Sequence, residues 1–361
     1  MRLLKSSLVG MFLLTSLPFA SAQSTYEQIL DRSEILGSGG SRAAYGVVIE
    51  GTTSYNFLSL EDTSSSSPAD AGRITVTSNI GGTTNTTELL STATWEMATG
   101  ITNIAGFYGY GISGDFLQFA ETGTDSIWRV DKNTGSLSEY VSAATIFNFT
   151  GEASAQILSP HTVAPSGEHA FYEGRSDSIL VTSGASSVST LVSSSQLTAL
   201  TGNDTVSGGI TFDASGNLIW GSNTSDSIYS WDGAMGIELL STAELISITG
   251  ESAAGFGDIF FAPDNLVYFY DTTSDGILSF DPLDAANTLQ FVLTEDELIS
   301  GPEGSDSVSG FTWFDDSIAW SPVSPTATLG LFGSVTAIPE PSSMAFCMAL
   351  VGTVMTRRRK R

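Results

Sequence analysis

Hydrophobic and polar positions recur along this chain in a fixed order. The clearest unit is Leu or Val, then Ser, Thr or Asp, two further residues, a polar residue and a bulky apolar one. It occurs as Leu30-Asp31 with Glu34-Ile35, Leu90-Ser91 with Thr94-Trp95, and Val141-Ser142 with Thr145-Ile146. It occurs again as Val192-Ser193 with Gln196-Leu197, Leu240-Ser241 with Glu244-Leu245, and Leu293-Thr294 with Glu297-Leu298. Successive capping residues stand 60, 51, 51, 48 and 53 positions apart by their numbers. A hydroxyl or carboxylate at the capping position can accept the amide N–H three residues on. Glu or Gln at that third position can reach back to the cap. Each unit therefore predicts one helical turn closing a strand. A glycine follows each (Gly40, Gly100, Gly151, Gly202, Gly250, Gly301), suited to the exit from such a turn.

Between these units the pattern has the period of strands. Residues 210–212, a turn at 213–217 and residues 218–220 read as a hairpin, and 258–261 with 266–269 match it across Pro263-Asp264-Asn265. A third strand opens at Asp125-Ser126-Ile127, Asp177-Ser178-Ile179, Asp226-Ser227-Ile228 and Asp275-Gly276-Ile277. A fourth, such as 237–240, runs into the helical turn. Four short antiparallel strands every ~50 residues predict an all-β, six-bladed β-propeller of four-stranded antiparallel blades. The rival architectures are a β-solenoid, which repeats in fewer residues, and a pair of β-sandwiches.

The last repeat supplies only three strands, at 311–313, 317–320 and 327–332, whereas a lone strand at 26–30 precedes the first blade. The ring is predicted to close by that N-terminal strand joining the last blade, because an uncovered edge invites pairing with other chains. A serine-rich insertion at 61–70 accounts for the longer first spacing.

Charge narrows the function classes. The 361 residues carry 39 Asp and Glu against 13 Lys and Arg, a formal charge of −26. Nucleic-acid binding through phosphates needs a cationic surface and is excluded on that ground. The basic residues gather at the ends, and none lies between 176 and 356. So acidic a body stays dissolved by self-repulsion and attracts cations such as Ca²⁺; no other cofactor is expected. Cys347, the only cysteine, lies in the tail, so the body has no disulfide and no thiolate.

The two ends read as addresses, not fold. Arg2 and Lys5, an apolar run over 8–17, and Ala20-Ser21-Ala22 form a secretory signal, cleaved by signal peptidase after Ala22. At the other end come Pro339-Glu340-Pro341, an uncharged apolar stretch over 342–356, and then Arg357, Arg358, Arg359, Lys360 and Arg361. A basic cluster after an apolar helix stays on the cytoplasmic side and leaves the body outside. The apolar stretch is short for a span, but long basic side chains snorkel and extend it. These three parts, in this order, resemble the PEP-CTERM sorting signal of Gram-negative bacteria. The resemblance implies recognition by an exosortase, removal of the tail and release to the envelope or to an exopolysaccharide matrix. The expected organisation is a signal peptide at 1–22, the propeller at 23–336 and the sorting signal, with its transmembrane helix, at 337–361.

Within the body, Gly216-Asn217-Leu218-Ile219-Trp220 followed by Asp226-Ser227-Ile228-Tyr229-Ser230-Trp231-Asp232 is similar to NHL and SMP-30-type propellers. The metal and catalytic residues of the lactonase members find no counterparts here.

Candidate chemistry is sparse. Glu152, Asp204, Glu251 and Glu303 follow the recurrent glycines, and with the aspartates of the Asp-Ser phrases they are expected to crowd one face. Such crowding raises carboxylate pKa values or recruits a cation, so this face is the candidate site for Ca²⁺ or a cationic or polyhydroxylated ligand. Residues 271–276 lack the alternating ligands of a calcium loop and read as a turn. His161 and His169, the only histidines, flank one hairpin; a metal there would want a third ligand, for which Glu168 is the local candidate. No nucleophile elbow, P-loop, dinucleotide fingerprint or H-E-x-x-H occurs.

Two functions from different classes fit. One is a non-enzymatic platform of envelope or matrix, contacting envelope proteins or exopolysaccharide. The other is an exported propeller enzyme, a metal-dependent lactonase or a sugar hydrolase or lyase, working at the central channel. Small residues in the first strands (Ala43-Ala44, Gly208-Gly209, Gly255, Gly257, Ser309-Gly310) let strands approach the axis and favour the platform.

Overall fold

The computed structural model describes residues 27–31, 34–35, 44–58, 72–101, 107–164, 166–300, 307–322 and 331–333. All belong to one compact unit, Thr25–Thr336. The signal peptide, the sorting signal, the 61–70 insertion, Gly40, Gly301 and Glu303 lie outside the described residues. Among the described residues no helix is long and apolar enough to cross a membrane.

A lone strand, β1 (Glu27–Leu30), comes first. The first blade is β2 (Ala44–Glu50), β3 (Thr53–Leu58), β4 (Arg73–Ser78) and β5 (Asn85–Leu90). The second is β6 (Phe107–Ser113), β7 (Phe116–Glu121), β8 (Ser126–Asp131) and β9 (Leu137–Val141). The third is β10 (Ile157–Val163), β11 (His169–Glu173), β12 (Ser178–Gly184) and β13 (Ser187–Val192). The fourth is β14 (Ile210–Phe212), β15 (Leu218–Ser222), β16 (Ser227–Trp231) and β17 (Gly236–Leu240). The fifth is β18 (Phe256–Phe261), β19 (Val267–Asp271), β20 (Gly276–Phe280) and β21 (Gln290–Leu293). Last come β22 (Val308–Phe314), β23 (Ser317–Pro322) and β24 (Leu331–Gly333).

The molecule is thus an all-β propeller of four-stranded antiparallel blades. Where six blades were expected, five are spun from four consecutive strands. The remaining four-stranded sheet is assembled from both ends of the body, in the order β1-β24-β23-β22. In it Glu27 stands opposite Gly333, Gln28 opposite Phe332 and Leu30 opposite Leu331. The innermost strands β2, β6, β10, β14, β18 and β22 neighbour one another in turn, and β22 returns to β2.

The middle strands are buried on both faces, as in β11, β15, β16, β19 and β20, whereas outer strands such as β9 and β17 turn polar residues outward. Burial on both faces explains their near-continuous apolar runs. The core is accordingly layered. Apolar clusters sit between successive sheets, such as Phe57, Trp95, Phe107 and Phe119 between the first and second blades. Leu30, Ile35, Val47, Leu58 and Ile80 fill the joint where β1 meets the first blade.

The recurrent unit folds as read, but longer. Four copies form two-turn helices rather than single turns: α1 (Thr92–Thr99), α2 (Ala143–Thr150), α3 (Ser194–Thr201) and α4 (Thr242–Thr249). Their C-caps Gly100, Gly151, Gly202 and Gly250 are left-handed. A short helix, α5 (Ala285–Thr288), precedes β21, and the last copy of the unit is α6 (Glu295–Ile299). The bulky apolar residue of each unit — Ile35, Trp95, Ile146, Leu197, Leu245, Leu298 — is buried and plugs a joint between sheets.

Candidate functional site in the axial channel

The inner strands enclose a cavity of about 780 Å³, walled by backbone and side chains of β2, β6, β10, β14, β18 and β22. Glycine brings some of these strands together. The Gly209 amide donates to the Gly257 carbonyl at 2.7 Å, across the joint of the fourth and fifth blades. A Cβ on Gly209 would lie 2.3 Å from the Ile259 nitrogen, so no larger residue fits. Side chains stitch three successive joints. Phe261 N–H donates to Thr211 Oγ1 at 3.1 Å, Phe311 N–H to Asp258 Oδ2 at 3.1 Å, and Ile49 N–H to Thr312 Oγ1 at 3.2 Å.

Asp258 is the singular residue of this wall. The residue is half-buried at the cavity. Burial pushes the carboxyl up to about 6, although the Phe311 and Ile259 amides, both donating to it, pull the other way. Tyr110 stands close: a Cβ on Gly310 would lie 3.5 Å from Asp258 Oδ2 and 4.0 Å from the Tyr110 hydroxyl. The Tyr110 ring is fixed by stacking on Phe57 at 4.8 Å. Among the described lining residues Asp258 and Asp213 are the only acids, and none is Lys or Arg.

Of the sequence-predicted acidic face, three of the four residues that follow the glycines lie among those described. Glu152 and Glu251 are exposed just past the C-caps of α2 and α4, and Asp204 accepts from Ser194 Oγ at 3.2 Å. Among the described residues no three His, Cys, Asp or Glu side chains come together in a group able to hold a metal ion. The Asp-Ser aspartates serve their turns. Asp125, Asp177, Asp226 and Asp275 all have φ of 48° or 49°. Asp125 Oδ1 accepts Ile157 N–H of the next blade at 2.9 Å, and burial is the main cause raising its pKa. Asp177 and Asp275 accept the hydroxyls of Tyr172 and Tyr270 at 2.9 and 2.7 Å.

Sequence reasoning missed Asp258 and a second set of buried acids. Glu121, Glu173 and Asp271 are at most 1% exposed. Glu173 accepts from Gln156 and Ser176 N–H, each at 2.8 Å, and Asp271 accepts from Gly255 N–H at 2.9 Å. Each stands four residues before the aspartate of an Asp-Ser or Asp-Gly phrase, a spacing that was readable. Asp258 recurs in no other blade and left no such signal.

No protein-family model matches the chain, and no curated protein matches it in sequence. Solved structures do match in shape. Regucalcin of Agrobacterium tumefaciens str. C58, a calcium-binding protein, aligns over 86% of this chain and 94% of its own at 10% identity, with a TM-score of 0.53. A luciferin-regenerating enzyme aligns over 88% and 96% at 9% identity, TM-score 0.52. A streptogramin B lyase aligns over 86% and 96% at 12% identity, TM-score 0.50. At such identities the likeness is one of fold, and the fold shared with them is the β-propeller.

Proposed function

We propose that the chain is an exported, exosortase-processed protein of the cell envelope or extracellular matrix. Its propeller, with the composite sheet as sixth blade, is a rigid platform associated with exopolysaccharide. The observation that carries the binding half is the cavity wall. Among the described residues it combines glycine backbone, aromatic residues (Tyr108, Tyr110, Phe256), hydroxyls (Ser309, Thr312) and carboxylates without any cationic residue. Aromatic faces and hydroxyls suit neutral sugar rings. A −26 chain whose described cavity residues include no cation repels uronate or sulfated polymers. The export half rests on the order of parts at the two ends of the sequence, with signal peptidase and exosortase as processing partners.

Co-sedimentation with a neutral glucan and with a polyuronate tests the platform: the first is expected to carry the protein down and the second to leave it in solution. Equal behaviour with both sinks the reading. Intact mass of the protein recovered from an exosortase-bearing host tests export, with Gln23 as the expected first residue and the basic tail absent.

The enzymatic reading has one observation in its favour. Asp258, held near 6 on a cavity wall that Tyr110 shares, sits where a general acid–base in the cavity would sit. Turnover of a lactone or oligosaccharide that Asp258→Asn abolishes would favour it over the platform.

A further inference from the structure

His161 and His169 take no part in the reading above. They lie on one face of the third blade: Val163 stands opposite His169 in the register, and His161 is two residues before Val163. That face meets β6 of the second blade, where Gly109 makes room for the ring; a Cβ there would lie 1.9 Å from His161 Cβ. The two imidazoles stand edge to face, with centroids 5.6 Å apart and planes at 83°. Tyr108 and Phe171 flank His161 nearly parallel to it, at 6.1 and 6.4 Å. Exposure is 8% for His161 and 0% for His169.

Among the described residues none of the four imidazole nitrogens has a hydrogen-bond partner, nor does Gln118 Nε2. Gln118 stands opposite Gly111 on the facing blade. Each buried polar group left unpaired costs about 1–3 kcal/mol, and native proteins keep few of them.

We propose that His161 and His169 form a two-imidazole site for a soft monovalent cation of the silver(I) or cuprous class, entered from the axial cavity that His161 lines. The donor set selects the charge. No carboxylate or thiolate joins the pair in a ligand group among the described residues. The Arg129 guanidinium lies near enough to bear on His169. A divalent ion such as zinc wants three or four ligands, commonly with anionic charge among them. A soft monovalent ion is satisfied by two neutral nitrogens, and it adds the least charge beside Arg129.

Silver(I) is the probe, because it needs no reductant. The purified full-length chain is titrated with silver nitrate in chloride-free buffer and followed by thermal melting and by ¹⁵N-histidine NMR. The expected result is one tightly bound equivalent beyond that taken by the Cys347 thiol, a raised melting temperature and shifts at both imidazoles. His161→Phe and His169→Phe, which keep the joint filled, should each lower affinity by about 100-fold or more. Imidazole resonances of the wild-type protein that stay unmoved by silver overturn the proposal, whatever the variants do. So does equal binding by the folded double variant, which would assign the ion to the sulfurs of Cys347, Met97 and Met235.

Discussion

Asp258 shows how one side chain ties cavity to stability. Burial holds its carboxyl near 6 in the folded chain against an ordinary 3.8. The folded protein keeps that proton in a window where the unfolded chain has lost it. Its stabilising share is therefore complete below about pH 4 and lost as pH rises through about 6, at most about 3 kcal/mol in all. In Asp258→Asn this fall disappears, so the variant's melting temperature minus that of the wild type should rise between pH 4 and pH 7. A flat difference in calorimetry would show the carboxyl titrating normally. Glu173 contributes as an acceptor for two backbone N–H groups. Glu173→Ala leaves both amides unpaired in a buried turn and should cost about 2–4 kcal/mol by chemical denaturation.

Elements explain what could be read in advance and what could not. The six-residue unit was legible because capping chemistry is local: Ser193 and Gln196 satisfy each other's backbone, with Ser193 N–H donating to Gln196 Oε1 at 2.8 Å. Helix length was not legible, since the second turn of α1 to α4 carries no further cap before its glycine. The strands were legible from the Asp-Ser phrases, whose left-handed aspartate fixes each hairpin. The candidate site was not. Asp258 owes its character to burial against strands distant in sequence, Phe311 among them 53 residues away, and His161 and His169 owe theirs to a facing blade. Ser193→Ala should lower stability by about 1 kcal/mol, read as a drop in melting temperature of a few degrees. Gly209→Ala strikes backbone at the Gly209–Gly257 approach and should cost about 3 kcal/mol, with loss of cavity binding before loss of fold.

At the scale of the molecule, stability is distributed over joints rather than gathered at a centre. At the joint closed by β1, β24 is, among the described residues, three residues long and meets β23 at one register pair, Trp320 with Phe332. Leu30, fully buried there, carries much of the closure. Leu30→Ala should remove about 2–5 kcal/mol and broaden the thermal transition. An unchanged transition would mean that the ring holds without its N-terminal strand.

The pairing of β1 with β24 also orders events in time. The earliest stretch of body to be synthesised finds its partner among the latest, some 300 residues on. Five blades can stack as they are made, but the circle waits for its final segment. Until then two open sheet borders face the surroundings. A chain halted anywhere short of β24 is therefore left as an open arc, a ready target for proteolysis or for joining to another arc.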